Sequence, residues 1–171
     1  NGIDNSSEIG LYKIEEGKIL LELGDYSRSR ELFEEALNID EKLDLAYLLL
    51  GNSYAKESDT SYKNATIKKK ENNENKYEEC LNKAKQLLSK AIPMWIQFVE
   101  MSSNQSNKVI NQLKDALFAL NRFNEYEEIL SKIIENDPDN IYILCSLAEF
   151  YDDKGETQNA FEILDKSNCT N

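Results

Sequence analysis

The chain has 171 residues, 20 basic against 32 acidic, with no histidine, 3 cysteines, 6 glycines and only 2 prolines; 40% of its positions are apolar. That apolar share suffices for a domain core and is too large for a disordered tail. The lack of histidine removes Ser-His-Asp triads, Cys-His pairs and histidine metal sites. The net charge of −12 repels nucleic acid and anionic membranes unless basic residues are segregated into a patch.

Few glycines and prolines leave little punctuation for a many-turned β fold, so an all-α chain of long helices is expected. Cys80, Cys145 and Cys169 are far apart, odd in number and form no CxxC pair. They read as reduced thiols of a reducing compartment, and the expected location is cytoplasmic. No apolar run approaches the roughly 20 residues of a spanning helix, and residues 1–10 lack a secretory signal. The chain starts at Asn1 rather than methionine, which leaves open an anchor or further sequence upstream.

From the N-terminus, residues 10–43 carry two apolar stripes at helical spacing. Leu11, Ile14, Gly17, Leu20 and Leu21 form the first, and Tyr26, Phe33, Ala36 and Leu37 the second, with Gly24-Asp25 between them. This predicts a helical hairpin. Gly17 in mid-helix costs about 1 kcal/mol against alanine, which makes sense where a neighbouring helix must approach closely. Gly17 recurs as Gly51, while Leu113, Leu117, Asn121, Tyr126 and Leu130 recur as Leu147, Tyr151, Gly155, Ala160 and Leu164, always 34 residues on. The repeats are assigned to 10–43, 44–106, 107–140 and 141–171, one domain over 1–171.

These residues resemble the tetratricopeptide repeat (TPR) family. Tyr47, Leu50, Gly51 and Tyr54 match its first helix; Gly24, Tyr26, Phe33 and Ala36, and later Phe123 with Pro138, match its second. Ser29, Lys114 and Glu41 depart from the pattern. The resemblance implies a right-handed superhelix of stacked antiparallel hairpins, an α-solenoid of about four repeats.

The second repeat holds about 29 extra residues, since Gly51 to Lys114 spans 63. Anchoring its second helix on Ala84, Leu88 and Ala91 puts 21 before it and 8 after; anchoring on Tyr77 and Cys80 gives 17 and 12. Residues 57–75 are polar and lysine-rich, with Lys63, Lys68, Lys69 and Lys70, and are expected to form a mobile, solvated loop, with docking or targeting as the alternative. Tyr77 to Ile92 resumes a helical pattern that Pro93 kinks or ends. Met94, Trp95, Ile96, Phe98 and Val99 are expected to pack on the stack as an extra turn or two, with Trp95 as a binding anchor the sharper alternative.

Extended concave surfaces of stacked hairpins serve recognition. The resemblance assigns groove positions to Leu11, Ile14, Lys18, Leu21 and Glu22; to Leu45, Leu48, Asn52, Ala55 and Lys56; to Lys108, Asn111, Asp115, Phe118 and Ala119; and to Tyr142, Cys145, Glu149, Asp152 and Asp153. A carboxylate clamp of the cochaperone type needs several converging cations. Its positions here read Ile14, Lys18, Leu49, Lys108 and Gln112, so that clamp is not expected. The groove is apolar at its start and acidic at its end, suited to a peptide with Leu-like anchors and a basic stretch; the alternative places Leu11, Ile14, Leu45 and Leu48 in the core.

The expected function is therefore a noncatalytic scaffold or adaptor that binds a partner protein's peptide, without cofactor or metal, nucleic acid or membrane. Phe161 and Ile163 leave the last helix uncovered, so either the chain continues past Asn171 or two copies pair there as a homodimer. A carboxylate enzyme built on Glu149, Asp152 and Asp153, and nucleic-acid binding through Lys63 to Lys70, are the weaker alternatives.

Overall fold

The computed structural model describes residues 5–102 and 107–166. Cys169 lies outside them. The described residues form eight α-helices and no strand. They fall into two compact units, one holding α1 (Asn5–Leu23), α2 (Tyr26–Ile39), α3 (Asp44–Lys70) and α4 (Glu74–Met101), the other α5 (Asn107–Ala119), α6 (Phe123–Asn136), α7 (Ile141–Asp153) and α8 (Thr157–Lys166). Among these residues no helix is long and apolar enough to cross a membrane.

Each successive helix pair is an antiparallel hairpin closed in the same way. Gly24, Asn72, Asn121 and Gly155 take positive φ after the first helix, and the next N–H donates to the carbonyl five residues back. These bonds run Asp25 to Leu20, Asn73 to Lys68, Arg122 to Leu117 and Glu156 to Tyr151, at 2.8 to 3.0 Å. They satisfy carbonyls that a helix end would leave bare. Asp25 and Asn73 then cap α2 and α4 by accepting from the N–H groups of Arg28 and Lys76.

In the first unit the two mid-helix glycines each admit an aromatic ring. A Cβ on Gly17 would lie 2.5 Å from Phe33, and one on Gly51 would lie 2.6 Å from Trp95. Phe33 and Trp95 are buried, so Trp95 is a core residue and not an exposed anchor. Its Nε1 donates to Asn52 Oδ1 at 3.1 Å.

This pairing locates the extra residues of the second repeat. Trp95 follows Phe33 by 62 residues where a bare repeat would allow 34, so nearly all of the excess precedes Trp95, and neither sequence anchoring of the second helix holds. The excess is no loop. Residues 57–70 continue α3, residues 71–73 turn, and α4 runs from Glu74 through Pro93 to Met101. Ser58, Ser61 and Ala65 of α3 and Ala84 of α4 are buried, and the Ser58 hydroxyl donates to the Ala84 carbonyl at 2.8 Å. Small side chains let the two long helices run close together. Pro93 does not end its helix, because Trp95, Phe98 and Val99 beyond it bury their side chains. At about 25 cal/mol per Å², that burial offsets the roughly 3 kcal/mol a mid-helix proline costs.

A half-buried ion cluster joins three helices of this unit. Glu57 of α3 accepts from Arg30 of α2 at 2.8 Å and from Lys83 of α4 at 2.9 Å. Burial alone would raise the Glu57 pKa, but the hydrogen bonds from Lys83 and Arg30 outweigh it and hold the carboxyl below its ordinary value. A carboxylate depressed in this way adds stability above its unfolded pKa of about 4.3 and loses it as pH falls through the lower folded value. Glu57→Gln should therefore cost about 1–2 kcal/mol at pH 7. The gap to the parent should close below about pH 4, as read from urea midpoints across pH; a gap that stays constant with pH would refute the ionic account.

In the second unit Phe118, Phe123, Tyr126 and Phe150 form an edge-to-face aromatic cluster with centroids 4.9 to 6.2 Å apart. Burial, with smaller contributions from nearby Tyr142, pushes the Tyr126 phenol up to about 12.

Candidate functional site

In the first unit the first-helix face is built on α1 and α3, tied together by Lys56 Nζ on Glu22 Oε1 at 2.9 Å. That ion pair holds the Glu22 carboxyl below its ordinary pKa. Two residues assigned to this face from the sequence do not lie on it. Ile14 is fully buried with Ala36 and Ala46, and Leu21 is buried with Phe33 and Leu50. The cause is that α3 lies against the α1–α2 hairpin and covers those positions with Ala46 and Leu50.

The remaining residues are accessible to different degrees. Leu11 is 49% and Leu45 36% exposed, and Leu48 is half-buried. Lys18 is held by Glu15 of its own helix at 2.9 Å. Asn52 is turned toward α4 by its bond to Trp95.

In the second unit the corresponding face is built on α5 and α7. Tyr142 Oη donates to Asn111 Oδ1 at 3.0 Å and to the Asn107 carbonyl at 3.3 Å, bringing Asn111 and Tyr142 together. Lys108, Asp115, Glu149, Asp152 and Asp153 are exposed. Phe118 belongs to the aromatic cluster and is half-buried. Glu149 and Asp152 border a cleft of about 390 Å³ between α7 and α8, floored by Ala148, Ala160 and Phe161. Asp153 borders a separate one of about 320 Å³ beside Phe118, Phe150 and Lys154.

Among the described residues no cluster of three acids or cysteines is arranged to hold a metal. Cys80 and Cys145 are not bridged by a disulfide.

Two features were not read from the sequence. One is the Arg30–Glu57–Lys83 cluster, hidden because 57–75 looked like loop. The other is a groove of about 540 Å³ floored by Tyr47, Leu50 and Tyr54 of α3, between Leu37 of α2 and Met94 of α4. Arg30 stacks over the Tyr54 ring at 4.6 Å. The two tyrosines were visible as repeat-pattern residues, but their open side was not.

A family model described as a TPR repeat matches residues 17–58. No curated protein matches the chain. Among solved structures, MamA from Desulfovibrio magneticus RS-1 aligns at TM-score 0.48 and 19% identity, over 92% of this chain and 73% of that one. YrrB, described as a TPR protein with an unusual peptide-binding site, aligns at 0.35 and 19%, over 91% and 82%. TTC0263, a thermophilic TPR protein of Thermus thermophilus, aligns at 0.36 and 18%, over 92% and 89%.

Proposed function

We propose that this chain, whose residues 17–58 match a tetratricopeptide repeat family model, is a noncatalytic interaction module that holds a peptide segment of a partner on the first-helix face of α1 and α3. Repeats of this kind mediate protein–protein interaction through extended surfaces. The observation that carries the reading is what internal packing leaves exposed on that face. Leu11 and Leu45, with half-buried Leu48, remain on α1 and α3 beside Lys18 and Lys56. The apolar anchors on α1 and α3 suit a segment with leucine-like side chains.

Panning a random peptide library on the intact chain tests this. Selected peptides should carry leucine-like apolar anchors. Leu11→Asp with Leu45→Asp should weaken their binding by at least about tenfold, near 1.4 kcal/mol, in fluorescence anisotropy with an unchanged circular dichroism melt. Peptides that bind the double variant as tightly as the parent would sink the assignment of this face.

A further inference from the structure

The repeat register shows which positions of a hairpin receive the helix that follows it. In the first unit Glu22, Ser29 and Arg30 of α1–α2 meet Lys56, Ser53 and Glu57 of α3. In the second, Asn111 meets Tyr142, Phe118 and Tyr126 meet Phe150, and Glu127 meets Tyr151, all of α7, and Lys154 just past its end. Thirty-four residues after Asn111, Phe118, Tyr126 and Glu127 stand Cys145, Asp152, Ala160 and Phe161. These four line the cleft of about 390 Å³ between α7 and α8. Among the described residues no helix follows α8, and Phe161 is 64% exposed. The α7–α8 surface therefore has the geometry of a helix seat.

Its chemistry specifies the occupant. Where the first hairpin presents Glu22, the next helix answers with Lys56; the equivalent position here is Asp153. Glu149 and Asp152 border the cleft and no cation lines it. Ala160 stands where Ser29 and Tyr126 stand in the covered hairpins, leaving room for a larger apolar residue. This chain's own exposed apolar helix stripe, Ile9, Tyr12, Ile19 and Leu23 of α1, is flanked by Glu8, Glu15, Glu16 and Glu22. A second copy docking by α1 would set acid on acid in a chain that already carries −12, and the lysines of α3 flank a single exposed apolar residue, Ile67, too little to fill the cleft. We infer that the α7–α8 face is a docking site for a basic amphipathic helix of a partner protein, with apolar residues on Ala160 and Phe161 and lysine or arginine over Asp152 and Asp153.

This site stands on α8 and does not depend on the α1 and α3 face proposed above. Two synthetic helical peptides test it, sharing one apolar stripe of leucines at i, i+4 and i+7 with tryptophan at i+8, one flanked by lysines and the other by glutamates. With the intact chain, anisotropy should show the lysine peptide binding at least about tenfold tighter, by a margin that shrinks as salt rises. Phe161→Asp should abolish that binding with an unchanged melt. Asp152→Lys with Asp153→Lys should reverse the preference. Leu11→Asp with Leu45→Asp should leave it intact, which keeps failure of this site distinguishable from failure of the other.

Equal binding of the two peptides, or undiminished binding to Phe161→Asp, would overturn the proposal. So would a dimer in sedimentation that Phe161→Asp dissolves, since a second copy would then be the occupant.

Discussion

Trp95→Ala is expected to destabilise the first unit by about 3–5 kcal/mol, a large part of the roughly 5–15 kcal/mol that holds a typical domain folded. The indole is 2% exposed and fills the space left by the missing side chain of Gly51. Truncation leaves a cavity there, because α3 and α4 are held together along their length by other buried contacts and cannot simply close on it. It also strips Asn52 Oδ1 of the donor that meets it at 3.1 Å, adding the cost of a half-buried acceptor deprived of that bond. Trp95 is the chain's single tryptophan, so urea unfolding should be followed by circular dichroism, which reads parent and variant alike. Trp95→Phe should recover much of the loss, since phenylalanine serves at the equivalent place beside Gly17. A loss below about 1 kcal/mol for the alanine variant would show that α4 is not seated on α3 through this ring.

The period of 34, the four hairpins and the role of Gly17 were legible because each leaves a mark in the identities of residues: a glycine where a helix should have a side chain, or a turn residue at a fixed offset. The long hairpin of α3 and α4 was not. Beyond Gly51 the buried residues of α3 are Ser53, Ser58, Ser61 and Ala65, and a stripe of serine and alanine has little hydropathy contrast with the polar residues around it. Three of the four lysines that suggested a solvated loop, Lys68, Lys69 and Lys70, lie in the last turn of α3, where cations favour the helix dipole. Pro93 misled for a related reason. A proline weighs against a helix locally, whereas Trp95, Phe98 and Val99 are held by tertiary burial that local propensity does not contain.

The first-helix faces were legible only in part. The same repeat position is open in one repeat and closed in another, depending on which helix lies over it. Ile14 is sealed beneath Ala46 in a shared cluster, while Asn111, one of its counterparts, stays exposed beside Tyr142. A position rule transferred from a family cannot carry that difference, because it is set by the size of the neighbour and not by the residue itself. The end face on α7–α8 was visible as an uncovered Phe161. Its character as a helix seat needed the side-chain pairs of the two preceding hairpins.

Gly17→Ala should reverse the usual sign of a glycine-to-alanine change in a helix. In an open helix that substitution gains about 1 kcal/mol. Here the new methyl would lie 2.5 Å from Phe33 Cε1 and 2.9 Å from Cδ1, and Phe33 is fully buried. Either the ring leaves its rotamer or α1 and α2 move apart, and overpacking of this kind costs about 1–3 kcal/mol; a net loss of about 2 kcal/mol is expected in urea unfolding. The cause can be isolated with Phe33→Leu, a shorter side chain that gives the methyl room while losing apolar contact of its own. The double variant should be more stable than the two single losses predict by at least about 1 kcal/mol, a coupling typical of residues in direct contact. Additive losses would mean that Gly17→Ala acts on something other than the ring, and a stabilised Gly17→Ala would mean that the two helices do not meet at the distance described. The same experiment at Gly51, where the obstacle is Trp95 at 2.6 Å, should give the same sign, because in both repeats the first helix is hollowed so that an aromatic of the second can lie against its backbone.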